Sequence, residues 1–91
     1  MIVEKIRNFS SELKGYRVFF FGSRVTGKAR HRSDFDIGID GAKPLPAALF
    51  FSIEEALESL PTLYRIDWVD MGRISPSFKK QAMGHIEMIY G

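Results

Sequence analysis

Ninety-one residues with a formal net charge of +2 suffice for one small domain and are too few for two, so residues 1–91 are expected to form a single unit. Apolar residues make up 45%, eight Phe among them, which allows a real core, although one so small gains from burial against a partner. The lack of cysteine excludes disulfides and thiolate metal sites, and no apolar run approaches a membrane span, so a cytoplasmic protein without membrane contact is expected.

The chain opens Met-Ile-Val-Glu-Lys-Ile-Arg, where charges interrupt the apolar residues as they would not in a signal peptide. Ile2, Ile6, Phe9 and Leu13 recur at helical spacing, which predicts an amphipathic first helix ended by Gly15. Tyr16 to Phe21 is short, aromatic and partly β-branched, as a buried strand would be. Gly22-Ser23 stops it, and Ser23 is a natural N-cap for a short helix over residues 24–29. From Asp34 to Asp40 the sequence alternates: Phe35, Ile37 and Ile39 face one way, Asp34, Asp36, Gly38 and Asp40 the other. Asp40-Gly41 reads as the start of a turn.

Leu49, Ile53, Ala56, Leu57 and Leu60 then mark a helix closed by Pro61. Tyr64 to Asp70 is the third predicted strand, with Arg65, Asp67 and Val69 opposite Ile66, Trp68 and Asp70. Ser75-Pro76 is an N-cap followed by Pro at the first helical position, and Phe78, Ala82, Ile86 and Ile89 are expected as the buried stripe of a last helix, weakened slightly by Gly84. The order αβαβαβα implies an α/β (α+β) fold, a small mixed three-stranded sheet with helices packed on it.

Asp is depleted in strands, so three in one short strand after a basic loop call for a reason. Carboxylates at i and i+2 lie on one side, about 7 Å apart along the strand. A solvated face would explain them, but so would Mg²⁺, which is commonly held by one or two carboxylates plus water and phosphate oxygens. Two such ions would clamp the attacking and leaving oxygens of a phosphoryl displacement, and a third acid from another strand would complete the site. Strand parity puts Asp67 and Asp70 on opposite faces; Asp67 is chosen because an unpaired carboxylate inside the strand would be costly, whereas Asp70 beside Met71-Gly72 is easily solvated.

Gly22 permits close backbone approach, the amides after it can point at an anion, the Ser23 hydroxyl adds a donor and Arg24 a planar fork suited to phosphate. Arg24, Lys28, Arg30 and Arg32 follow without an intervening acid, a distribution that favours an anion-facing role over a merely solvated one. Arg30 and Arg32 suit departing pyrophosphate and an acidic partner surface equally well. No P-loop pattern is present.

Gly22-Ser23-Arg24, Gly27, Ser33-Asp34-Phe35-Asp36 and the later Ile66-Asp67-Trp68-Val69-Asp70 together resemble the signature of the polymerase β-type nucleotidyltransferase superfamily, and within it the minimal nucleotidyltransferases that partner HEPN-domain proteins. The likeness spans nearly the whole chain. Gly38 departs from it, standing where members often have a larger apolar residue. The resemblance implies that Asp34, Asp36 and Asp67 bind two Mg²⁺ ions, that Gly22 and Ser23 hold the triphosphate, and that AMP passes from ATP to a hydroxyl with release of pyrophosphate; Arg24 and Arg32 join the triphosphate site on their charge. It further implies an antitoxin that modifies a tyrosine of its HEPN toxin in a hetero-oligomer, a type VII-like pair.

Three rivals stand beside that reading. One is an antitoxin that neutralises its partner by binding alone. Nucleotide addition to RNA would want a binding groove, but the basic residues cluster at the corner, so direct nucleic-acid binding is not expected. Antibiotic nucleotidylation would need a further domain for the drug. His31 and His85 have no acid or second His at ligand spacing and read as ordinary, and the three Tyr read as anchors at the core's edge.

Overall fold

A computed structural model describes residues 2–22, 35–61 and 65–91. Its elements are α1 (Ile2–Arg7), β1 (Tyr16–Phe21), β2 (Phe35–Gly41), α2 (Ala47–Glu58), β3 (Ile66–Asp70), a 3₁₀ turn (Met71–Arg73), α3 (Pro76–Met83) and β4 (Glu87–Tyr90). The short helix expected over residues 24–29 falls outside the described residues. So do Tyr64, His31 and the basic run.

The four strands form one mixed sheet in the order β3-β2-β1-β4. β1 runs antiparallel to both neighbours, while β2 and β3 are parallel and are joined through α2 as a crossover requires. Both faces are covered. Val18, Ile37, Ile39 and Trp68 share one buried cluster with Ile6, Ile53 and Leu57 of α1 and α2; Phe19, Phe21 and Met71 share a second with Ala82 of α3. The alternation read in β2 therefore separates two apolar layers instead of a core from solvent.

Gly38 shows why. A Cβ there would come within 2.5 Å of Met71 Cε and 2.6 Å of the Phe19 ring, so these two side chains occupy the space a larger residue would take. The departure from the family pattern is thus compensated by a bulky neighbour on each side.

The sheet has one strand more than the alternation predicted, and the last helix ends correspondingly early. α3 stops at Met83, and Gly84 caps it; Glu87 to Tyr90 then pairs with β1. Val18 and Phe19 are fully buried, so the outer backbone groups of β1 need partners that a helix could not supply. The supposed stripe accordingly breaks up: Ala82 and Ile89 are buried in different clusters, and Phe78 is 46% exposed. Tyr90 donates its hydroxyl to the Ser10 carbonyl at 3.1 Å, tying β4 to the turn beyond α1.

The first helix is also shorter than its apolar spacing predicts. Asn8, Ser10 and Ser11 favour side-chain-to-backbone alternatives, and the chain continues from Arg7 as successive turns that still bury Leu13. The helix before Pro61 and the N-cap at Ser75 are found as predicted. Ser75 Oγ accepts from the Phe78 amide at 3.3 Å with Pro76 beginning α3, and Phe50 of α2 stacks on Trp68 with ring centres 5.6 Å apart. No helix among the described residues is long and apolar enough to cross a membrane.

Candidate active site

The site is built at one end of the sheet from the close of β1 and the openings of β2 and β3. Parallel pairing sets Asp36 opposite Asp67, and antiparallel pairing sets Phe21 opposite Asp36. Residues opposite each other on neighbouring strands project to the same face, about 4.8 Å apart. The two carboxylates therefore meet on the α3 side. Neither is buried, and the Asp67 side chain is 36% exposed.

Gly22 completes the corner. Its φ of +84° lies in the left-handed region, and a Cβ built on it would collide with the Asp36 carboxylate. The backbone thus comes as close to this acid as it can, and only glycine allows it. Arg65 Nε lies 3.3 Å from Asp67 Oδ1 in an ion pair whose arginine is 76% exposed.

A cleft of about 1010 Å³ opens over this corner. Gly22, Asp36 and Asp67 line it together with Val69, Phe78, Gln81 and His85 on the α3 side, and with Glu54, Leu57, Glu58 and Arg65 towards α2. Sequence reasoning singled out Gly22, Asp36 and Asp67 and missed the α3 wall, because Phe78 was assigned to the core and His85 to the ordinary surface. The available signal was the i, i+3 spacing that puts polar Gln81 on one helical face with Phe78. Ser23, Arg24, Arg32 and Asp34 lie outside the described residues.

The other two strand acids have different work. Asp40 is no turn residue: it lies within β2, buried, with Arg17 Nη2 2.9 Å from Oδ2 and Lys79 Nζ 3.1 Å from Oδ1. The position before Gly41 suggested a turn, but the register carries β2 through Gly41, opposite Tyr16. Burial pushes the Asp40 carboxyl up, and hydrogen bonding and charge from Arg17 and Lys79 more than reverse this, leaving it below the ordinary carboxylate range. Asp70 is buried as well, contrary to the expectation that it would be solvated. It accepts from the Leu45 amide at 2.8 Å and the Gly72 amide at 2.9 Å, with Arg73 Nε 3.4 Å away. As strand parity requires, it faces away from Asp67.

Carboxylate oxygens beside a cleft are the donors that Mg²⁺ prefers, and Asp36 and Asp67 fit that requirement. Among the described residues no three acids or His cluster at ligand distance. Asp34, the remaining candidate ligand, is outside them.

The model of one family, polymerase beta nucleotidyltransferases, matches residues 4–91. The chain belongs to this family. A curated relative, the probable protein adenylyltransferase MntA of Haemophilus influenzae, is 35% identical over 65 residues, 71% of this chain and 57% of that protein. The chain thus spans little more than half the length of this nucleotidyltransferase relative. Among solved structures, one of a toxin–antitoxin with AMP-PNP has a chain that superposes with a TM-score of 0.72 at 22% identity, covering 100% of this chain and 74% of that one. Another, a tri-AMPylated Shewanella oneidensis HEPN toxin in complex with an MNT antitoxin, gives a TM-score of 0.65 at 18% identity over 99% and 70%. At these identities the superpositions establish the nucleotidyltransferase fold.

Proposed function

We propose that this chain is a Mg²⁺-dependent nucleotidyltransferase that moves AMP from ATP to a hydroxyl, a tyrosine of a HEPN-domain toxin, and so acts as the antitoxin of a cytoplasmic pair. The observation that carries the reading is the in-register placement of Asp36 and Asp67 on adjacent parallel strands, against a left-handed glycine and facing one cleft. The relative's name as a protein adenylyltransferase, and the toxin–antitoxin complexes that share the fold, support the substrate and the partner.

In this mechanism Asp34, Asp36 and Asp67 would hold two Mg²⁺ ions, with Asp67 serving the incoming hydroxyl. When bound, the ions supply Lewis-acid charge that favours the deprotonated acceptor and offsets charge on the phosphates. Asp67 accepts the acceptor's proton. The acceptor oxygen forms a bond to the α-phosphorus, the bond to the bridging oxygen breaks, and pyrophosphate leaves with that electron pair towards Gly22, Ser23, Arg24 and Arg32. Most of the protein's contribution is orientation and charge placement.

The test is transfer of label from α-labelled ATP to the purified toxin. Asp36→Asn and Asp67→Asn should each abolish it in a chain that still folds. Undiminished transfer by either variant would remove that residue from the mechanism. Full neutralisation of the toxin by the double variant would instead favour an antitoxin that works by binding alone.

A further inference from the structure

Among the described residues three large hydrophobic side chains stand exposed, Phe51, Phe78 and Met88, and of these Phe78 lines the cleft. It is 46% exposed, yet its backbone is held firmly: the Ser75 hydroxyl caps its amide, Pro76 begins the helix, and the neighbouring Lys79 is anchored to the buried Asp40. Its ring lines the same cleft as Asp36 and Asp67. Val69 lines the cleft too, two residues beyond Asp67 on the same face of β3 and so about 7 Å further along the strand. Val69, Phe78 and Ala82 thus give the cleft an apolar and aromatic stretch beside its carboxylates.

Resting on the nucleotidyl-transfer reading, we infer that Phe78 is the stacking platform for the nucleobase of the bound nucleoside triphosphate. The direction of transfer selects the base over the acceptor as occupant. In-line displacement runs across the strands: pyrophosphate departs on the Gly22 side, and the acceptor enters on the side of Asp67, which stands on the edge strand β3. A nucleoside hanging from the α-phosphorus off that axis would extend along the strands past Val69, within the cleft that Phe78 lines. A planar base against an aromatic face needs no particular hydrogen-bond pattern, and Gln81, on the same wall of the cleft, can meet its polar edge.

The experiment compares binding of ATP and of inorganic tripolyphosphate, each with Mg²⁺, to the wild-type chain, Phe78→Ala and Phe78→Trp. Loss of one base–aromatic stack should weaken ATP binding by Phe78→Ala about tenfold while leaving tripolyphosphate binding unchanged. Phe78→Trp should keep ATP affinity, with fluorescence quenched by ATP beyond the wild-type change and unaffected by tripolyphosphate. Equal ATP affinity in wild type and Phe78→Ala overturns the assignment, as does a rise confined to the KM for the acceptor protein, which would give the ring to that partner. A parallel loss of tripolyphosphate binding also overturns it, since the substitution would then act through the fold. Wild-type protein that binds neither ligand contradicts the nucleotidyl-transfer reading itself, and this inference with it.

Discussion

β2 and β3 each carry an acid near both ends, and the two ends treat them in opposite ways. At the opening end, Asp36 and Asp67 sit side by side over a cleft; Asp67 keeps much of its solvent access, and its Arg65 partner is three-quarters exposed. At the closing end, Asp40 and Asp70 are buried and engaged, one by Arg17 and Lys79, the other by two backbone amides and Arg73. An acid in a strand is thus no indicator of chemistry by itself. The distinction lies in whether the fold buries the carboxylate or sets it beside a cavity.

Exchange of each acid for Asn turns this contrast into a four-way experiment. At Asp36 and Asp67, transfer should fall by at least ~10²–10³-fold with thermal stability nearly unchanged. At Asp70 the reverse is expected: an Asn amide must turn a donor towards the Leu45 or Gly72 N–H, costing about 2–3 kcal/mol in denaturant unfolding. Asp40→Asn should cost roughly 1–2 kcal/mol, because Arg17 and Lys79 are half exposed and can be resolvated once unpaired. A stability loss at Asp36 or Asp67 as large as at Asp70 would erase the distinction between the ends.

The closing end also has a pH signature. The folded-state pKa of Asp40 is lowered, so its ion pairs contribute fully above the ordinary carboxylate pKa, and the contribution is lost as pH falls through the lowered value. Wild type and Asp40→Asn should therefore differ most at neutral pH and begin to converge only as the pH falls below ~4 in denaturant titrations. The smallest effect belongs to Arg65→Gln: an ion pair this exposed should shift stability by less than ~0.5 kcal/mol.

Much of this architecture was legible in the residues. β1 spans Tyr16–Phe21 as its aromatic and β-branched composition predicts, and the parity of β3 correctly parts Asp67 from Asp70. The early end of α1 has a local cause, but β4 and the buried acids depended on partners distant in sequence. β4 forms because β1 has an unfilled edge, which no local pattern in Glu87 to Tyr90 announces over a continuing helix. Asp40 looked like a turn residue until Arg17 and Lys79, from two other elements, were brought to it. Phe78 keeps helical spacing with Ala82 yet turns towards the cleft.

If the paired carboxylates at the opening end carry AMP transfer, a HEPN-domain partner made alongside this chain should gain AMP. Intact-mass measurement of the toxin co-expressed with wild-type chain or with Asp67→Asn tests it most directly. The account predicts toxin heavier by whole AMP units with wild type and unmodified toxin with a folded Asp67→Asn. Equal modification in both, or none with the wild type, would contradict it.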